Sequence, residues 1–147
     1  MTLELVTLPC LKDNYAYLLH DAASGETTLI DAPEAGPILA ELKARRWRLD
    51  QILLTHHHWD HIDGVGEIVE ATSAEILGAA ADAHRLPPLT RALVEADTVK
   101  IGRELGYVID VPGHTVGHIA FYFPVAGLAF TADSLMAGGC GRLFEGT

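Results

Sequence analysis

Short apolar runs broken by turn formers alternate with one longer amphipathic stretch along the first half of this chain. Leu3–Leu8, Asn14–His20 and Glu26–Asp31 predict strands, with Asp21-Ala-Ala-Ser-Gly25 as the turn between the last two. Pro33 opens a helical stretch reaching about Arg46, in which Ile38, Leu39 and Leu42 form one apolar stripe. Pro37 falls in its first turn, where a missing backbone N–H is tolerated. Gln51–Leu54 predicts a strand, Asp63–Glu70 a short helix capped by Asp63, and Ala74–Leu77 another strand. Ala79–Thr90, rich in alanine and ending in Pro87-Pro88, predicts a loop with at most one helical turn. Beyond it the pattern is all strand: Thr98–Ile101, Leu105–Val111, His118–Phe123 and Leu128–Thr131. Strands first interleaved with helices and then meandering predict one mixed α/β layered domain over residues 1–147. The stretch from Ala137 to Thr147 has neither apolar period nor capping signal, and Gly138-Gly-Cys-Gly141 predicts a tight turn. The sequence is expected to be cut short in mid-loop.

Composition narrows the class. At 147 residues and 49% hydrophobic, the chain can build a substantial core and is not a disordered segment. No apolar run approaches the roughly 20 residues that span a bilayer. Met1-Thr-Leu-Glu4 lacks the basic start and apolar continuation of a secretory signal. Two cysteines, Cys10 and Cys140, make no disulfide framework, so a reducing cytoplasm is expected. A formal charge of −10 disfavours nucleic acid and anionic membranes as partners.

The chemistry is concentrated in Thr55-His-His-His-Trp-Asp-His61, where four side chains can bind a transition metal. His56 and His58 alternate, so an extended backbone turns both imidazoles to one side. Asp60 and His61 are adjacent and can share a metal only if the chain bends, which suits two neighbouring ions better than one. Imidazole with carboxylate favours zinc, with iron or manganese as alternatives. A solvated His-rich turn is the bland reading. The apolar strand pattern running straight into the motif argues against it.

Two further strand ends supply donors. In Val111-Pro-Gly-His-Thr-Val-Gly-His118 the turn formers place His114 at a strand end, and with His56 and His58 it makes a common three-histidine zinc shell with one open position. His118 reads as a residue supporting the ligands or as a structural one. Asp133, in Phe130-Thr-Ala-Asp-Ser134, can bridge two ions or, on the bland reading, cap a turn. Asp31, also at a strand end, is a candidate for fixing a ligand histidine.

These segments resemble the metallo-β-lactamase superfamily, whose signature H-x-H-x-D-H is followed by a distant His and a bridging Asp. His56, His58, Asp60, His61, His114 and Asp133 match in order, and Asp31 matches the strand-end Asp that comes first. Within the superfamily the chain is most similar to the glyoxalase II family, the hydroxyacylglutathione hydrolases. That narrower likeness rests on Asp13-Asn-Tyr-Ala-Tyr17, the His cluster, Pro112–His118 and above all Gly139-Cys-Gly-Arg-Leu-Phe-Glu-Gly-Thr147. It spans the whole chain but only the first half to two-thirds of the family's length. The family's last ligand histidine and its C-terminal helical domain would lie beyond Thr147.

The resemblance implies an αβ/βα layered sandwich, incomplete at its C-terminal end. It implies two divalent ions, one on His56, His58 and His114, the other on Asp60 and His61, with Asp133 between them. Asp60 is thus expected as both ligand and catalytic carboxylate. The implied reaction is hydrolysis of a glutathione thioester, S-lactoylglutathione to lactate and glutathione, by a metal-bound hydroxide. Arg142 resembles a basic residue that meets a glutathione carboxylate, against the reading of an ordinary exposed arginine. Phe144 stands in the substrate segment where some relatives carry tyrosine. Alternatives are another hydrolase of the same fold, a persulfide dioxygenase, or a non-catalytic metal-binding fragment. A sequence cut short beside Leu128–Thr131 is also expected to leave an open sheet edge and to self-associate.

Overall fold

The computed structural model describes residues 3–10, 14–55, 64–80, 89–110, 119–124, 128–130 and 140–142. Two sheets face one another. The first is ordered β1 (Glu4–Cys10), β2 (Asn14–Asp21), β3 (Glu26–Ile30), β4 (Gln51–Leu53), β5 (Glu75–Ala79) and β6 (Arg91–Leu93). Its first three strands run antiparallel, and β3 through β6 run parallel. The second sheet is an antiparallel meander in spatial order β11 (Cys140–Arg142), β10 (Leu128–Phe130), β9 (Ile119–Phe123), β8 (Glu104–Asp110) and β7 (Thr98–Ile101). Helices α1 (Ala35–Arg45) and α2 (Val65–Thr72) supply the crossovers β3–β4 and β4–β5.

The alternation of side chains along each central strand divides the interior into two cores. Tyr17, Leu19, Ile30, Leu53 and Leu77 point inward to Val99, Ile101, Val108, Phe121, Phe123 and Phe130 of the second sheet. Their neighbours Leu18, Leu29, Ile52 and Ile76 point the other way, onto Ile38 and Leu42 of α1 and Val65 and Ile68 of α2. Both faces of β3, β4 and β5 are therefore buried, which is why these strands read as near-continuous apolar runs. The α1 stripe is confirmed, with Ile38 and Leu42 buried and Leu39 packed at its margin. Arg46 ends the helix in the left-handed region at φ 60°, and Trp47 N–H donates to Leu42 O at 3.0 Å. His20 belongs to the packing, stacked on Trp47 with 4.1 Å between ring centroids and bonded to Thr27 Oγ1 at 2.8 Å.

Three expectations need correction. Gly64, not Asp63, is the N-cap of α2, and no side chain caps it; Asp63 lies outside the described residues. Arg91–Leu93 forms a strand that local pattern did not disclose, because three residues paired to β5 need no alternation of their own. Cys140 and Gly141, read as part of a tight turn, belong instead with Arg142 to a strand paired to β10. The edge expected to be open beside Leu128–Thr131 is thus covered by β11, which is the outer strand of that sheet among the described residues. The large apolar residues that remain exposed among those described are Val94, Tyr107 and Ile109, the last two on the outer face of the second sheet. Of the loop expected over Ala79–Thr90, Ala79 is instead the last residue of β5, and residues 81–88 lie outside the described residues.

The two sheets are locked together at the start of β3. Asp21, buried, closes the β2–β3 turn by accepting from the Ser24 hydroxyl at 2.8 Å and the Ser24 N–H at 3.3 Å. Gly102, in the β7–β8 turn at φ 61°, lies so close that a Cβ there would overlap the Asp21 carboxylate. Its N–H donates to Glu26 Oε1 at 2.8 Å. On β8, Gly106 leaves room for the buried ring of Phe123, which a Cβ would strike.

Gly106→Ala should therefore cost roughly 1–3 kcal/mol through overpacking, read as a lower midpoint in chemical denaturation. The Ser24 hydroxyl, the largest influence on Asp21, holds that carboxyl below its usual value, with partial opposition from burial. A lowered folded-state pKa contributes stability that is fully present above the unfolded value and is lost as pH falls through the folded one. Ser24→Ala should accordingly shift acid unfolding to higher pH, as followed by circular dichroism. An unchanged acid limb would contradict the assignment.

Candidate metal centre

Strand β3 ends at Ile30, and the next residue, Asp31, turns into the left-handed region at φ 62°. Aspartate tolerates that conformation better than most residues, yet it must be held there. Three hydrogen bonds hold it. Asp31 N–H donates to Leu53 O at 2.9 Å; its Oδ1 accepts from Thr55 N–H and its Oδ2 from the Thr55 hydroxyl, both at 2.8 Å. Both residues are buried, so the carboxylate exchanges its water for two well-placed donors.

Thr55 is also joined to the second sheet, because its carbonyl accepts from Ile119 N–H at 2.9 Å. Leu54 N–H donates to Leu77 O at 2.9 Å, extending the β4–β5 ladder to the same point. Nine residues on, Gly64 N–H donates to Ala32 O at 2.7 Å. A Cβ on Gly64 would lie 2.7 Å from Ala35 N and 3.0 Å from Ala32 O, so only glycine allows this approach. The segment between Thr55 and Gly64 thus leaves from one side of a fixed corner, residues 31–32, and returns to the other.

His56, His58, Asp60 and His61 belong to that segment, and they lie outside the described residues, as do His114, His118, Asp133 and Phe144. The described strands nonetheless fix where the chain enters and leaves each donor-bearing stretch. The register pairs Asp110 with Ile119 and Phe130 with Phe121, so β8 ends, β9 begins and β10 ends at one end of the second sheet. The bond between Thr55 and Ile119 brings that end to the carboxyl ends of β3 and β4. All three donor-bearing stretches, 56–61, 114–118 and 133, depart from this single end of the sandwich. Carboxyl ends of parallel strands are the usual place for ligands in α/β sheets. Among the described residues, no three His, Cys, Asp or Glu side chains are grouped to hold a metal.

Arg142 stands apart from this convergence. On β11 it pairs with Leu128, whereas Cys140 pairs with Phe130, so Arg142 lies two residues farther from the donor end. Asp31 holds a position that sequence pattern singled out, and the described partners of its carboxylate are groups of Thr55. Thr55 and Gly64 carry parts of the architecture that pattern reading left without a role. A threonine ending a buried strand and a glycine just inside a helix were the available signals.

Asp31→Ala would leave the Thr55 N–H and hydroxyl without their carboxylate in a buried place. We expect a loss of roughly 2–4 kcal/mol, since each orphaned buried donor costs about 1–3 kcal/mol. A denaturation midpoint within about 0.5 kcal/mol of wild type would contradict this account of the corner.

Comparison with known proteins agrees with the architecture. The sequence profile described as Metallo-beta-lactamase superfamily matches residues 12–145. Proteins named hydroxyacylglutathione hydrolase are 70% identical in a Cereibacter sphaeroides strain and 69% identical in Fuscovulum blasticum, each over 147 residues. Both matches cover 100% of this chain and 58% of the relative, so the chain spans less than two-thirds of their length. Among solved structures, BLEG-1 B3 metallo-beta-lactamase superposes with a TM-score of 0.82 at 22% identity, over 90% of this chain and 73% of that one. TTHA1623 in a di-iron-bound form superposes with a TM-score of 0.75 at 29% identity, over 97% of this chain and 77% of that one. The paired sheets, the donor-bearing stretches leaving one end of them and the profile match along nearly the whole chain lead to one assignment: this protein belongs to the metallo-beta-lactamase superfamily.

Proposed function

We propose that the whole protein is a metal-dependent hydrolase of glutathione thioesters, converting S-lactoylglutathione to lactate and glutathione. The observation that carries this reading is the departure of three stretches rich in imidazole and carboxylate from a single end of the sandwich. The substrate class follows the hydroxyacylglutathione hydrolases that are 55–70% identical to this chain over its full length. A donor set of four imidazoles and two carboxylates fits a pair of borderline divalent ions. His56, His58 and His114 would hold one ion, Asp60 and His61 the second, and Asp133 both. Zinc is the first candidate; iron is the second, because the similar TTHA1623 is known in a di-iron-bound form.

When bound, such a pair acidifies a water and polarises a carbonyl oxygen. The protein's own part is to hold the donors and the substrate. Asp31 and Thr55 fix the start of the His-rich segment, and His118 would support the ligands from the second sheet. Arg142 would pair with a substrate carboxylate through its planar guanidinium, and Phe144 would pack against the substrate. The departing thiolate, whose acid has a pKa of about 8.5, needs no dedicated proton donor. Two cysteines and no framework of disulfides support a reducing, cytoplasmic setting.

S-lactoylglutathione, a lactone and a β-lactam should be assayed side by side on the whole protein. Preference for the lactone or the β-lactam would overturn the substrate assignment. His114→Ala should remove most of the tightly bound metal, because a three-histidine site becomes a two-histidine one. Full metal content in that variant, by elemental analysis, would remove His114 from the ligand set.

A further inference from the structure

The cleft between the β2–β3 and β7–β8 turns, at the end of the sandwich away from the donor-bearing stretches, holds a buried charge that packing does not explain. Glu104 opens β8 and is 9% exposed. It alternates with buried Gly106 and Val108, so it stands on the face that β8 turns to the core, where an apolar residue would pack without cost. Its Oε1 is buried without a hydrogen-bond partner among the described residues. Bare buried oxygens are few in folded proteins, and each needs a reason. A carboxylate that gives up its water is compensated only when a donor reaches it.

Glu104 lines a cleft of about 400 Å³ with Asp21, Ser24 and Arg103. That volume falls within the roughly 300–1,000 Å³ of small-molecule sites and far exceeds the roughly 30 Å³ of one water. The Ser24 hydroxyl gives its proton to Asp21 Oδ2 at 2.8 Å, so its oxygen can only accept, as it does from Glu26 N–H at 3.2 Å. An ionised carboxylate accepts at about four positions, more than the two Ser24 donors fill on Asp21. Gly102 lets the two turns meet, since a Cβ there would lie 2.8 Å from Ser24 Oγ and overlap the Asp21 carboxylate. Arg103, exposed, brings the opposite charge to the rim. Acceptors without donors inside, and a guanidinium outside, leave one negative charge in excess.

We propose that this cleft binds a small cationic amino acid, an ammonium of which donates to Glu104 Oε1 and Asp21 while its carboxylate pairs with Arg103. An ammonium carries three donors and no acceptor, which suits a place lined only by acceptors. The guanidinium fork suits a carboxylate. The ligand's net positive charge balances the excess in the cleft. No third His, Cys, Asp or Glu joins Asp21 and Glu104 among the described residues, so the pair lacks the ligand count of a protein cation cage. The site stands apart from the proposed hydrolytic centre and does not depend on it.

Calorimetric titration of the whole protein with L-lysine, and with cadaverine, which is lysine without its carboxylate, tests the assignment. L-lysine should bind saturably and more tightly than cadaverine. Glu104→Gln should weaken L-lysine about 10- to 100-fold, the range for a hydrogen bond between charged groups. Arg103→Ala should weaken it about 2- to 5-fold, as exposed pairs do, and leave cadaverine unchanged. Glu67→Gln, which removes the same charge from an exposed site on α2, should change neither. No saturable binding, wild-type affinity in Glu104→Gln, or equal weakening by Glu67→Gln overturns the proposal, the last because the field of an acidic chain would then suffice. Cadaverine binding as tightly as L-lysine removes the amino-acid assignment, and calcium chloride binding in place of both amines overturns the ammonium chemistry. Should Glu104→Gln fail to fold, amide shifts of the wild-type protein decide. L-lysine should move Ser24, Gly102 and Glu104 and leave Leu54 and Ile119 at the other end in place; equal or absent movement overturns the proposal.

Discussion

A buried carboxylate cannot be left without donors, and the donor-bearing end of this protein is arranged around that constraint. Asp31 is 3% exposed, and both its oxygens are met by Thr55. The same bonds hold Asp31 at φ 62°, a conformation an aspartate keeps only when its surroundings require it. From that corner Ala32 receives the Gly64 N–H, and Thr55 passes a bond to Ile119. A short set of directional bonds thus joins the exits of β3 and β4, the entry to α2 and the start of β9.

The apolar interior covers the middles of the central strands on both faces. β3, β4 and β5 are covered on one face by α1 and α2 and on the other by the second sheet. No position along them is free for a polar group that water or substrate must reach. Only the strand ends are. At the opposite end the β2–β3 and β7–β8 turns pack together, with Gly102 against Asp21 and bonded to Glu26. The carboxyl ends of parallel strands are where α/β sheets generally place ligand-binding groups.

Strands buried on both faces carry their signature as unbroken apolar runs, so Gln51–Leu53 and Glu26–Ile30 were legible within a residue. The α1 stripe was legible because three apolar residues at helical spacing need a partner whatever the fold. β6 and β11 were not, because each has three residues and is specified by its neighbour across the sheet, with no period of its own. The N-cap of α2 was misplaced by one residue for a related reason. Gly64 is required by the approach of Ala32 and Ala35, residues distant in sequence, whereas an aspartate before a helix is a local signal.

Residue type and spacing along the chain determined the donor chemistry: His56, His58, Asp60, His61, His114 and Asp133 are ligand types in a superfamily order, and that much is a property of the string of residues. They determined the layered α/β class as well, since alternation and helical spacing are local. Tertiary structure alone decided that the stretches bearing those donors leave one end of the sandwich, and that Thr55 is the residue joining the two sheets there. The physical reason is range. Periodicity reports which face of an element is buried, but a bond from Thr55 O to Ile119 N spans 64 positions and exists only once both sheets have packed.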